Sequence, residues 1–376
     1  MKFRVERDAL ADAVAWTAKS LPSRPSMPVL AGVMLRVADN ALHVSGFDYE
    51  VSSQVTVDVQ ADADGAALVS GRLLAEITKA LPAKPADIAA VGSHLELVCG
   101  SARFTLPTMP VEDYPSLPDM PATAGTVDAA VFAAAVAQVA IAAGRDDTLP
   151  MLTGVRMELE GTTLSMVATD RYRLALREIQ WQPQDEGANV HALVPAKTLA
   201  DTAKTLGPLG GEVTIALARG GVGEGMIGFS AGTRRTTSRL LDGDLPKVRS
   251  LLPETHTAEA RINVSALNEV VRRVALVAER ATPVRLTFGD DGLVVEAGGT
   301  EEARASEAME ATFTGEPLTV AFNPQYLLDG LAALDGPVAV LSMVDPNKPA
   351  LLAPATEDGE IIEGYRYLIM PIRLGR

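Results

Sequence analysis

Cysteine is almost missing from this chain. Cys99 is the single one in 376 residues, which rules out an intramolecular disulfide and suits a reducing compartment. Aromatic residues make up only 4%, too few for a platform that stacks single-stranded nucleic acid. Long apolar runs are also absent. The longest, residues 129–143, is mostly alanine and is interrupted by Gln138, so it predicts a buried helix and no membrane span. The opening residues, Met-Lys-Phe-Arg-Val-Glu-Arg, lack the apolar stretch of a signal peptide, and a cytoplasmic protein without membrane attachment is expected. Basic side chains are the minority, 33 against 48 acidic ones, giving a net charge of -15. Spread evenly, that balance excludes phosphate binding, and it permits such binding only if the cations gather on one face.

What is present is repetition. Met27-Pro-Val-Leu-Ala-Gly-Val33 returns as Leu149-Pro-Met-Leu-Thr-Gly-Val155, and Leu42-His-Val-Ser-Gly-Phe-Asp48 as Leu164-Ser-Met-Val-Ala-Thr-Asp170. Pro28 to Pro150 and Asp48 to Asp170 span the same interval. Asp113-Tyr-Pro-Ser-Leu-Pro118 likewise matches Asp244-Leu-Pro-Lys-Val-Arg249, and a fainter third copy includes Ala321-Phe-Asn-Pro-Gln-Tyr-Leu-Leu-Asp329. A period of about one third of the chain is a domain triplication, too long for a solenoid. Linkers rich in proline, glycine and polar residues place the domains at 1–122, 127–253 and 258–376. Each copy is read as a helix first (7–19, 129–143, 265–280), then alternating strands, a second helix (72–81, 196–206, 324–334) and more strands. Gly289-Asp-Asp-Gly292 reads as a hairpin turn. Two helices per strand-rich unit predict an α+β fold with antiparallel sheets.

The cations recur at matching places. Arg72 and Lys79 lie two helical turns apart and point the same way, and Lys197 and Lys204 repeat the pair in the second copy. The third copy carries Arg272, Arg273 and Arg280 on its first helix instead. Solvated helix faces commonly look like this, but equivalent placement in successive copies fits a shared basic wall. Such a wall would touch phosphates without reading bases, and no recognition helix or zinc module accompanies it.

Catalytic and cofactor motifs fail on context. Gly228-Phe-Ser230-Ala-Gly232 matches a nucleophile elbow, with Asp242 and His256 following in hydrolase order. An elbow needs a helix next, whereas the following Thr233-Arg-Arg-Thr-Thr-Ser-Arg-Leu reads as a strand. The run Gly223-x-Gly225-x-x-Gly228 also lacks the helix of a dinucleotide fingerprint. His43, His94, His191 and His256 show no metal spacing, and no phosphate-binding P-loop occurs. No catalytic residue, cofactor or metal is expected.

Several stretches resemble the beta sliding clamp family, the processivity subunit of bacterial DNA polymerase III. They are Met1-Lys-Phe-Arg-Val-Glu-Arg7, Ser23-Arg-Pro-Ser-Met-Pro-Val-Leu30, Val167-Ala-Thr-Asp-Arg-Tyr-Arg-Leu174, Leu241-Asp-Gly-Asp-Leu-Pro246 and Tyr367-Leu-Ile-Met-Pro-Ile-Arg373. The resemblance implies a head-to-tail homodimer whose six domains ring duplex DNA without reading its sequence. It implies a DNA contact at Arg24, and a channel lined by helices, which agrees with the DNA-facing wall read from Arg72, Lys79, Lys197 and Lys204. Ring closure would set Phe104 and Leu106 of one chain against Leu276 and Val277 of the other. An apolar pocket would receive peptide motifs from DNA polymerase III and other polymerases, the clamp loader and repair factors. Its implied lining is Met151, Leu152, Thr169, Arg171, Tyr172, Arg173, Leu174, Pro246, Arg249, Leu251, Pro349, Leu368, Met370 and Ile372. The family usually has aromatics where this chain has Leu245 and Val248, so an altered pocket wall is expected. The alternatives are a serine hydrolase using Ser230 and a repeat scaffold that binds no DNA.

Overall fold

The computed structural model describes residues 1–187, 189–218, 225–245, 248–253, 255–278, 282–298 and 303–374. Pro246, Lys247 and Arg280, together with Gly223, lie outside them. Among the described residues the three copies share one order of elements: a strand, an α-helix, five strands, a second α-helix and three strands. The helices are α1 (Arg7–Ala18), α2 (Gly71–Ala80), α3 (Ala129–Ala140), α4 (Ala196–Leu206), α5 (Val264–Val274) and α6 (Pro324–Ala332). Each copy therefore opens on a strand, where the sequence reading began with a helix. Lys2–Val5, Thr123–Asp128 and Ala258–Asn263 are short and partly polar, and each gains strand character from two antiparallel neighbours. Helix α5 also ends before the sequence reading has it, passing into a 3-10 turn at Ala275–Val277.

Helical periodicity accounts for the core. Leu10, Ala13, Val14 and Thr17 are the buried stripe of α1, and Leu267, Val270, Val271 and Val274 repeat the spacing in α5. Asn263 and Asn323 cap α5 and α6 by accepting hydrogen bonds from backbone N–H groups of the first turn. The Gly289–Gly292 hairpin forms as expected.

The chain divides into two compact units. The first comprises Met1–Ala130, Gln182–Asp185 and Asp201–Leu240. A fourteen-stranded antiparallel sheet runs through it, from Gln182–Pro183 to Gln60–Ala63. In its middle the last strand of the second copy, Arg234–Arg239, pairs with Val51–Asp58 of the first. The second unit comprises Val131–Trp181, Glu186–Ala200 and Leu241–Arg376. It holds a nine-stranded and a four-stranded sheet. There the last strand of the third copy, Tyr365–Ile369, pairs with Arg173–Gln180 of the second. One joining rule thus operates twice.

Ser230 sits inside the strand Met226–Ala231, paired with Thr214 and Arg235, and the chain turns into the strand Arg234–Arg239. The sharp strand-to-helix turn of a nucleophile elbow is not there, and His256 is instead engaged with Glu259. Among the described residues, no helix is long and apolar enough to cross a membrane.

Candidate functional site

In the second unit the strands Thr163–Thr169 and Arg173–Gln180 are joined by Asp170, Arg171 and Tyr172. Asp170 Oδ1 accepts from the Tyr172 and Arg173 N–H groups, both at 3.0 Å. Thr169 Oγ1 donates to the Arg173 carbonyl at 2.6 Å and accepts from Arg171 N–H at 3.2 Å. These bonds hold Arg171 in the left-handed region at φ 80°, a conformation costing a non-glycine residue about 1–2 kcal/mol. The result is that Arg171 is exposed and Tyr172 stands 54% exposed at the loop tip.

Below the tip, Arg173 is only 6% exposed. Its Nε donates to Asp170 at 2.9 Å and its Nη1 to Asp329 at 2.5 Å. Burial opposes its charge, but bonds to Asp329, Tyr367 and Asp170 outweigh that cost and raise its pKa. Asp329 and Tyr326 come from α6, whose cap at Asn323 orders the turn carrying Tyr326. Gly330 lets this helix reach the sheet, since a Cβ there would lie 2.6 Å from the Tyr367 ring. Tyr367 in turn donates to the Tyr326 carbonyl at 2.8 Å. The Tyr172 and Tyr326 rings stack at 6.3 Å, and burial raises the Tyr326 pKa.

These residues wall a cleft of about 780 Å³. Of the residues implied from sequence it gathers Leu152, Arg171, Tyr172 and Arg173, and it adds Arg145, Asp146, Asp170, Gln325, Tyr326 and Asp329. Arg145 and Arg171 enter no ion pair among the described residues, so two cations and a pair of rings face the opening. Hydrogen bonds from Thr148 hold the Asp146 carboxyl below its usual pKa.

The other implied residues divide by exposure. Leu174 and Leu368 are buried with Val167 and Leu176, whereas Met151, Leu251, Met370 and Ile372 are exposed and Pro349 is half-buried. Met370 N–H donates to the Tyr172 carbonyl at 2.8 Å, which ties its strand end to the loop. Arg249 spans Glu178 and Glu158 at 2.8 and 3.0 Å. Burial works against its charge, but the two carboxylates outweigh this and raise its pKa. Leu245 is 3% exposed and packs with Leu152 and Leu193, so it belongs to a leucine cluster behind the cleft wall.

Arg24, Arg72, Lys79, Lys197 and Lys204 are exposed. Of their side chains only that of Arg72 has a hydrogen-bond partner among the described residues, the Pro22 carbonyl at 3.3 Å. The third copy differs, because Arg273 is neutralised by Glu307 and Glu269. Leu106 is buried in the core of the first copy with Phe104 packed against it. Leu276 stands 84% exposed, with Val277 half-buried beside it.

Three successive stretches match the DNA polymerase III beta subunit: its N-terminal domain over residues 1–118, its central domain over 126–247 and its C-terminal domain over 249–373. A beta sliding clamp of Streptomyces coelicolor is 55% identical over 376 residues, covering all of both chains. One from Micrococcus luteus is 47% identical over 312 residues, covering 83% of this chain and 99% of its own. The crystal structure of the DNA polymerase sliding clamp from Bacillus subtilis superposes with a TM-score of 0.91 at 27% identity, with both chains fully covered. The chain belongs to the DNA polymerase III beta subunit family, the beta sliding clamps.

Proposed function

We propose that two copies of this chain close head to tail around duplex DNA and tether DNA polymerase III and other partners through the cleft beside Tyr172. The family is a non-catalytic processivity factor, so the work is binding and sliding, carried out in the cytoplasm.

The observation that carries this reading is the joining rule. Arg234–Arg239 pairs with Val51–Asp58, and Tyr365–Ile369 pairs with Arg173–Gln180. The equivalent last strand of the first copy is Ala102–Met109, and residues 102–107 are paired on one side only among the described residues. The equivalent receiving strand of the third copy, Ala305–Met309, also has one described neighbour. Open edges of this kind invite pairing. Applying the rule a third time joins Ala102–Met109 of one chain to Ala305–Met309 of another, and two such joints close a two-chain ring. Leu276 fits that edge, since Arg273, one turn before it, is bonded to Glu307 on Ala305–Met309. Phe104 and Leu106 lie on the opposing strand, and Val277 accompanies Leu276.

The channel contacts proposed are Arg24, Arg72, Lys79, Lys197 and Lys204, acting on phosphates and not on bases. The peptide site combines the ringed cleft with the apolar wall of Met151, Leu152, Leu174, Leu251, Pro349, Leu368, Met370 and Ile372. Thr169 and Arg173 set its loop, Arg249 braces its sheet, and Pro246 belongs to it by family position. Arg145 and Arg171 suit a peptide that carries acidic side chains beside its apolar ones. Sedimentation should give twice the 39.5 kDa chain mass. Leu276→Asp should give the single-chain mass with an unchanged melt, and a wild type that stays monomeric at micromolar concentration would remove the ring.

A further inference from the structure

The first copy holds a second cleft, of about 300 Å³, on the sheet face opposite its helices. Across the strands Gly32–Ala38, Ala41–Phe47 and Val51–Asp58, Arg36 lies opposite His43, and His43 opposite Thr56. Across the matching strands of the second copy, Glu158 lies opposite Ser165, and Ser165 opposite Glu178. The two rows occupy the same place in the repeat.

In the second copy this row is complete. Arg249, from the segment after the last strand, donates to both Glu158 and Glu178. In the first copy the charges are exchanged and the partner is missing. The row presents Arg36 and His43, while the aligned segment Asp113-Tyr-Pro-Ser-Leu-Pro118 brings Pro118 to the position of Arg249. His43 Nδ1 is paired with Thr56 Oγ1 at 3.1 Å, but the Arg36 side chain has no hydrogen bond or ion pair among the described residues. Tyr114 accepts a hydrogen bond from Phe47 N–H at 2.7 Å, which pins the segment above the sheet and leaves Val111, Leu117 and Met34 as the apolar wall.

We infer that this cleft docks a partner polypeptide through a carboxylate side chain flanked by apolar residues, with Arg36 as the principal cation and His43 beside it. A guanidinium without a partner at the edge of an apolar wall recognises a carboxylate strongly and directionally. Nucleic acid is disfavoured by the strand alternation. Leu35 and Val37 point into the core with Leu10, Val14 and Leu74 of α1 and α2. Arg36 therefore points away from the helix that carries Arg72 and Lys79.

The test is a titration of the capped peptide acetyl-Leu-Glu-Leu-Glu-Leu-amide into the full-length protein, followed by the NMR signals of the Arg36 and His43 side chains. The expected result is a saturable shift. Affinity should fall at least tenfold with Arg36→Glu, and equally when glutamine replaces glutamate in the peptide. Tyr172→Ala, which alters the other cleft, should leave the shift unchanged. Arg36→Glu changes an exposed side chain, and an unaltered melting curve would confirm that the fold is intact. No saturable shift at millimolar peptide, or undiminished affinity in Arg36→Glu, overturns the inference. So does an Arg36 signal that responds to a short DNA duplex and not to the peptide.

Discussion

Arg173 lies face on to Tyr326, its guanidinium carbon 4.4 Å from the ring centroid, while the same group bonds to Asp170 and Asp329. A cation held by two carboxylates and a ring fixes the loop beneath Tyr172, so the cleft is shaped by a charge nearly buried in its own wall. Arg173→Met should leave both carboxylates without a counter-charge and destabilise the protein by about 3–5 kcal/mol. Calorimetry should show a lower melting transition, and peptide binding should weaken with it. A variant that melts like wild type would mean that the network is dispensable.

The domain triplication, the helices and the motif that ends on Asp170 are legible in the sequence because each rests on local spacing or on a repeated pattern. The rest of the cleft is not. Tyr326 and Asp329 lie in the faintest copy, on a helix whose spacing marks only its buried face, and Tyr326 is half-buried in its first turn. Arg145 follows a run of alanine that reads only as core. The three opening strands escape notice because their neighbours in the sheet, far away in sequence, make them strands. Arg249 looks ligand-facing until the structure brings Glu158 and Glu178 to it from two different strands.

Tyr114 offers a pH test. Burial raises its pKa from 10.0 to about 12, so the folded state holds the phenol proton more tightly than the unfolded chain does. Its contribution is fully present below pH 10 and is lost as pH rises to about 12. Tyr114→Phe strands the Phe47 N–H and should cost about 1–3 kcal/mol at neutral pH. Denaturation curves at several pH values should show the gap from wild type narrowing between pH 10 and 12. A gap that stays constant would contradict the assignment.

Leu245 braces Leu152 from behind the cleft. Leu245→Ala should leave a cavity and lower stability by about 2–5 kcal/mol, and the unsupported Leu152 should weaken binding of a clamp-binding peptide. Calorimetric titration reads the second effect directly. Unchanged affinity would make this cluster packing alone.

The four helix cations give a salt test. Replacing Arg72, Lys79, Lys197 and Lys204 by glutamine should reduce the slope of log affinity against log salt for duplex DNA by about 0.9 per lost phosphate contact. The dimer mass should not change. An unaltered slope would mark these charges as a solvated face.

Encirclement is a topological property, and retention on DNA of two shapes measures it. Protein placed on circular duplex by the clamp loader should remain bound through gel filtration, then be released when a restriction enzyme linearises the circle. Blocking both ends of the linear DNA should restore retention. Equal retention on circular and open-ended linear duplex would show that the chain grips DNA rather than encircling it, and no binding to either would leave a repeat scaffold.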